Sequence, residues 1–298
     1  MATLSEWIEG ARPRTLPAAA APVMAGTATA WHAVGSLSVR HIVLALLAAI
    51  VALALQVGVN YANDYSDGIR GTDDDRVGPM RLVGSKAADP RSVKLAAFVC
   101  FGLAALAGLV IVVMTGHWWM FAVGVACILA GWYYTGGSRP YGYAGLGELF
   151  VFVFFGLVAV LGTHFILSGA LSGAAGVAAV GIGAVASALL VVNNLRDIPS
   201  DRESGKHTLA TRLGDRGTRT WFVLLMVIAL VSVPLVAGLT SWWLLSGLAM
   251  VPMMVVAVRV VTSGARGRDL IAALASTGRA ELVMGLGLLV GQAVNAVG

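Results

Sequence analysis

Apolar residues along this chain come in runs too long for the core of a water-soluble domain, and the polar residues bunch between them. Runs of roughly 20 apolar residues, the length that crosses a bilayer as a helix, occupy about 15–34, 40–62, 93–115, 117–135, 145–168, 170–194, 219–239, 241–262 and 280–297. The pattern predicts an all-α, polytopic membrane protein of about nine transmembrane helices. Nothing resembling a soluble domain or a low-complexity linker interrupts the runs, so 1–298 reads as a single transmembrane domain. Two polar connections are longer than simple turns, about 64–92 and 196–218, and each follows an even-numbered span. The first is rich in Asp, Arg and Gly, which makes it a candidate lid, and the equivalent placement of the two hints at an internal duplication.

Composition agrees: 58% of the 298 residues are hydrophobic and 12% charged, which excludes an ordinary soluble domain. Charge adds orientation, because Lys and Arg gather in short loops on the cytoplasmic side. Of the 20 basic residues, only Arg40 falls in a loop of odd parity. The amino terminus is therefore expected in the cytoplasm and the carboxyl terminus outside, in a multi-pass protein of the cell membrane. Arg12-Pro13-Arg14 precedes the first span, and no usual small-residue cleavage pattern follows it, so that span reads as a retained helix. The net charge of +5 is explained by basic loops at an anionic leaflet or an anionic substrate, without nucleic acid. Cys100 and Cys127 fall inside apolar runs and read as packing residues, as do the glycines within the spans.

Against this background two acidic clusters stand out, Asn60-Tyr61-Ala62-Asn63-Asp64-Tyr65-Ser66-Asp67 and Asn193-Asn194-Leu195-Arg196-Asp197-Ile198-Pro199-Ser200-Asp201. A carboxylate at a membrane boundary is costly unless paired, hydrated or bound to metal. Helical spacing puts Asn60, Asp64 and Asp67 on one face, and Asn193, Asp197 and Asp201 on another. Oxygen ligands without a His or Cys cluster suit Mg2+ and disfavour zinc. Nearby Arg76, Arg81, Lys86 and Lys206 complement the remaining charge of a diphosphate. Loop acids more often cap helices or form solvated ion pairs, the plainest reading of Asp73, Asp74 and Asp75.

These residues carry a resemblance. The Asn63-Asp64-x2-Asp67 and Asp197-x3-Asp201 motifs resemble the paired Asp-rich motifs of the UbiA superfamily of intramembrane aromatic prenyltransferases, over essentially the whole chain. Many members carry a further Asp four residues after Asp67; here that position is Gly71 and the next acid is Asp73. Arg12-Pro13-Arg14-Thr15-Leu16-Pro17, Val77-Gly78-Pro79-Met80-Arg81 and the stretch from Tyr133-Tyr134-Thr135-Gly136-Gly137 to Gly145-Leu146-Gly147-Glu148 are similar to the branch that prenylates 1,4-dihydroxy-2-naphthoate in menaquinone biosynthesis.

The resemblance implies a central cavity with a cytoplasmic cap and transfer of a polyprenyl group from its diphosphate to the naphthoate, with loss of diphosphate and CO2. It implies Mg2+ on Asp64, Asp67, Asp197 and Asp201, with Asn60, Asn63, Asn193 and Asp73 beside the donor. Arg14, Arg81, Lys86, Arg139 and Lys206 are the candidates for phosphate or carboxylate. Tyr134, Tyr141 and Tyr143 are candidates to flank an allylic cation, and Glu148 to orient Arg139 or approach the acceptor. His164 reads as packing. Acceptors such as 4-hydroxybenzoate, homogentisate or haem stay open, because the Asp motifs address only the donor. A transporter is the reading from another class, and it expects acids near the bilayer midplane.

Overall fold

The computed structural model describes residues 2–71, 80–138 and 140–297, and among them every regular element is helical. Asp73 and Arg139 lie outside the described residues. A short helix α1 (Leu4–Gly10) is followed by Arg12 in a left-handed conformation, φ 54°, which turns the chain into α2 (Pro17–Val34). Ser38 caps α3 (Val39–Gly68), and Asp89 with Pro90 at the first position starts α4 (Pro90–Thr115). After α5 (Met120–Tyr133), α6 (Gly147–Val151), a π-helix (Phe152–Leu161) and α7 (Gly162–Ser168) run on as one span. The rest are α8 (Gly173–Glu203), α9 (Leu209–Leu239), a 3-10 segment (Trp242–Met250) leading into α10 (Val251–Thr262), and α11 (Ile271–Val297).

Among the described residues, seven helical segments are long and apolar enough to cross a membrane, fewer than the nine expected. The other two expected spans are helices of a different kind. α2 is alanine-rich, carries Thr27, Thr29 and His32, and is buried along most of its length, so protein rather than lipid is its surroundings. α5 has 14 residues and rises only about 21 Å, less than the roughly 30 Å hydrocarbon core.

The expected polar connections shrink as well. α3 continues to Gly68 and α8 to Glu203, while α9 begins at Leu209, so both Asp motifs stand on helices and the second connection is only 204–208. The reason is physical: buried partners along the polar turns satisfy side chains that hydropathy alone assigns to loops.

Helices approach closely where glycine permits. A Cβ on Gly156 of the π-helix would lie 2.7 Å from the Ala179 carbonyl oxygen, and one on Gly285 of α11 would lie 2.7 Å from the Ala21 carbonyl oxygen of α2. α8 is the most enclosed of these spans and packs within one apolar cluster with α2, α9, α10 and α11, while α3 and α4 anchor smaller clusters.

Candidate functional site

The polar ends of α3 and α8 and the connections after α1, α3, α5 and α8 meet at one end of the bundle. On α3, Asn60 is held by donating to the Ala11 carbonyl and the Thr15 hydroxyl, each at 2.9 Å, and Gln56 donates to the same hydroxyl at 3.0 Å. Asn63 accepts from the Thr135 hydroxyl at 2.7 Å. Asp64 is fully buried and accepts the backbone N–H groups of Leu82 and Val83 at 2.8 and 3.1 Å. Asp67 accepts from the Tyr143 hydroxyl and lies 3.8 Å from Arg81. On α8, Arg196 makes a two-pronged contact with Asp197 at 2.7 and 2.8 Å. Asn194 donates to one Glu148 oxygen at 2.9 Å, and the other Glu148 oxygen is buried without a hydrogen bond. Asp201 receives the Thr208 hydroxyl at 3.5 Å.

Tyr143 joins the two halves. Its hydroxyl sits on Asp67, its carbonyl accepts the His207 N–H at 3.0 Å, and the Lys206 ammonium lies 4.4 Å from its ring centroid. Arg70 donates to the Thr135 and Gly137 carbonyls and also faces the Tyr143 ring, so the 135–143 segment is strapped across the end of α3.

Behind this polar end lies a cavity of about 1130 Å³. Its polar wall includes Arg12, Arg14, Asn60, Asn63, Arg81, Asn193 and Arg196, with Tyr134 and Tyr141 beside them. Glu9, Gln56 and a few hydroxyl side chains also line it, and the rest is apolar, from Leu55 and Val59 to Phe154, Val158 and Ile166. Tyr141 stacks on Phe150 at 4.1 Å and donates to the Ala130 carbonyl at 2.8 Å. Burial pushes its phenol well up from the ordinary value, so it stays a neutral donor. His164 is buried against Thr29 at 3.0 Å, in keeping with packing.

The expected stripes are therefore split. Asn60, Asn63 and Asn193 lie in the cavity wall, whereas Asp64 turns to the loop amides and Asp197 to Arg196. Among the described residues no three Asp, Glu, His or Cys side chains are gathered to hold a metal ion. Lys86 is exposed on a left-handed turn, φ 60°. Arg196, Arg12, Thr135 and Arg70 belong to this end of the molecule although spacing did not single them out. Arg196 had a signal, being the basic residue inside the second acidic cluster.

The chain matches the UbiA prenyltransferase family over residues 19–277. It belongs to that family. Among UbiA-family relatives, the 1,4-dihydroxy-2-naphthoate octaprenyltransferase of Mycobacterium tuberculosis is 53% identical over 288 residues, 96% of each chain. The enzyme of the same name from Escherichia coli is 39% identical over 86% of this chain and 84% of its own. In three dimensions the chain is similar to a UbiA homologue from Aeropyrum pernix K1, with a TM-score of 0.70, 13% identity, and 93% and 97% of the two chains covered. It is also similar to a UbiA homologue from Archaeoglobus fulgidus bound to GPP and Mg2+, with a TM-score of 0.65, 14% identity, and 96% and 99% coverage.

Proposed function

We propose that this chain transfers a polyprenyl group from its diphosphate to 1,4-dihydroxy-2-naphthoate, releasing diphosphate and CO2 and forming a demethylmenaquinol. The observation that carries the reading is an apolar cavity whose polar wall holds Arg12, Arg81, Arg196, Asn60, Asn63 and Asn193 together. That division suits an amphipathic donor, with diphosphate at the cationic end and prenyl chain along the apolar wall. The acceptor rests on the naming of the relatives at 53% and 39% identity.

The donor set fits Mg2+, although it is arranged in pairs. This ion keeps several waters and is commonly held by one or two carboxylates together with substrate phosphates, so a three-carboxylate cluster is not required. Asp64 with Asp67 and Asp197 with Asp201 would hold it. Mg2+ supplies Lewis-acid stabilisation of the charge that develops on the departing diphosphate.

The chain's own groups do the rest. Arg81 and Arg196 each keep a carboxylate partner in this structure and stand at the cavity wall, ready to pair with phosphate oxygens instead. Asn63 accepts from Thr135 through its carbonyl, which leaves its NH2 to donate to the diphosphate. Tyr134, Tyr141 and Phe150 line the cavity near its polar end, where aromatic rings would stabilise positive charge on the allylic carbon, and the apolar wall would exclude water that quenches it. Asp73, Lys86, Arg139 and Lys206 are assigned to the mouth on sequence placement. We also place the polar end in the cytoplasm and the chain in the cell membrane, on the loop-charge asymmetry.

The test is turnover by the purified protein in lipid nanodiscs, with polyprenyl diphosphate and a panel of acceptors, products being identified by mass. A decarboxylated prenyl naphthoquinol, abolished by EDTA and restored by Mg2+, is expected. Preference for 4-hydroxybenzoate would overturn the acceptor, and no product with any acceptor would overturn prenyl transfer.

A further inference from the structure

Gln56 stands on α3 four residues before Asn60 and seven before Asn63, so the three amides share one face and Gln56 lies roughly 10 Å deeper than Asn63. It lines the cavity beside Ala52, Leu55 and Val59 and is only 8% exposed. An amide in such a wall is costly unless its polar atoms are met. Its nitrogen is met, and its oxygen is not.

Backbone carbonyls fix the direction of the whole network, because they can only accept. The Thr15 hydroxyl donates to the Arg12 carbonyl at 2.9 Å, so its oxygen is left to accept. Asn60 donates to the Ala11 carbonyl and to Thr15 Oγ1, each at 2.9 Å, which uses both of its side-chain N–H groups and leaves Oδ1 to accept. Gln56 gives one N–H to Thr15 Oγ1 at 3.0 Å and the other to Asn60 Oδ1 at 3.4 Å. The Gln56 amide therefore cannot be turned over, since its oxygen would then face two oxygens. What remains is Oε1, which takes no hydrogen bond from the described residues and is open to the cavity. A ligand group that meets it must donate: a hydroxyl fits, while a carboxylate or an ether sets oxygen against oxygen.

We propose that Gln56 selects the acceptor, its Oε1 taking the hydrogen bond of the 4-hydroxyl of 1,4-dihydroxy-2-naphthoate. The inference rests on the proposed transfer to that naphthoate. The 1-hydroxyl lies ortho to the carboxylate and donates to it internally, so the 4-hydroxyl is the donor left over. The carboxylate is turned away from Gln56 by the same polarity, toward Arg12 and Arg14 in the same cavity wall. A ring without the 4-hydroxyl would close the cavity over Oε1 and leave it unmet, and a buried acceptor without a partner costs more than a hydrogen bond gains.

The test is equilibrium dialysis under argon with the protein in nanodiscs, in the presence of Mg2+ and geranyl thiolodiphosphate as a donor that does not transfer, so the readout needs no turnover. 1-Hydroxy-2-naphthoate, which lacks the 4-hydroxyl, and its 4-methoxy derivative, which can only accept there, should each bind wild type at least about tenfold more weakly than the dihydroxy acid. Gln56→Met keeps the length of the side chain and removes the acceptor. In that variant the dihydroxy acid should fall to the level of the other two ligands, whereas a merely structural role would weaken all three alike. Equal binding of the three by wild type, which needs no variant, or a preference that survives in Gln56→Met, would overturn the role of Gln56. Wild type that binds none of the three but transfers prenyl groups to another acceptor would overturn the naphthoate reading and, with it, the hydroxyl assigned to Gln56.

Discussion

Asp64 is the residue for which structure and motif make different demands, and Asp64→Asn separates them. Its carboxylate takes two backbone N–H groups, from Leu82 at 2.8 Å and Val83 at 3.1 Å. Those amides cannot retreat to water: Leu82 is fully buried and packs where a Cβ on Gly10 would collide at 2.7 Å, and Val83 packs on Gly68. Asn keeps the shape but turns one oxygen into an NH2, which sets donor against donor. The loss is one charge-assisted hydrogen bond, about 1.5–3 kcal/mol, plus weakening of the other when the charge goes. A total of about 3 kcal/mol corresponds to roughly a hundredfold in the local opening equilibrium. Hydrogen exchange followed by mass spectrometry on the 80–89 peptide should therefore speed up by about that factor. Asp67→Asn, which alters the Tyr143 and Arg81 contacts instead, should leave exchange at Leu82 and Val83 nearly unchanged. Unaltered exchange in Asp64→Asn would refute the anchoring role. Loss of turnover in this variant alone does not establish metal ligation, since a released 80–89 segment also displaces Arg81; a raised Mg2+ requirement with exchange intact is the signature of a ligand.

The remaining predictions concern the strap, the cation and the packing. Tyr143→Phe removes the hydroxyl on Asp67 and should lower kcat/KM by about tenfold, the worth of about 1.4 kcal/mol, with little change in thermal stability; a drop in stability with unaltered rate would make Tyr143 purely structural. Arg196→Lys keeps the charge and loses the two-pronged geometry, so the KM for polyprenyl diphosphate should rise more than kcat falls; an unchanged KM would remove Arg196 from the donor site. Gly156→Ala forces a methyl to 2.7 Å from both the Ala179 carbonyl oxygen and the Gly183 Cα, costing about 1–3 kcal/mol, and the apparent melting temperature in detergent reports it; an unchanged melting temperature would show that the π-helix gives way at low cost.

What could be read from the chain alone divides along a physical line. Hydropathy reports surroundings averaged over a turn or more, so spans such as Pro90–Thr115 were legible, while α2, wrapped in protein, and α5, too short to cross unaided, carry a weaker version of the same signal. Averages also placed the helix ends too early, because a polar residue inside a helix looks like a loop until its partner is known. Asp64 finds amides 18 and 19 residues away, and Asn60 finds Ala11 and Thr15, separations that no local window contains. The Asp-rich motifs were legible because ionised groups in an apolar chain are costly, and cost makes them informative. That argument says a carboxylate must have a partner; it does not say which one. Here Leu82 and Val83 amides, the Tyr143 hydroxyl and the Arg196 guanidinium answer to the same carboxylates we propose for Mg2+, so on that proposal donor binding at this end would be an exchange of partners rather than the filling of a bare site. Arg81 and Arg196 would then have two places, on Asp67 and Asp197 as in this structure and on the phosphates of the proposed donor once it binds. The favourable step lies in the difference between those two pairings, which is why charge-preserving substitutions there are more telling than deletions.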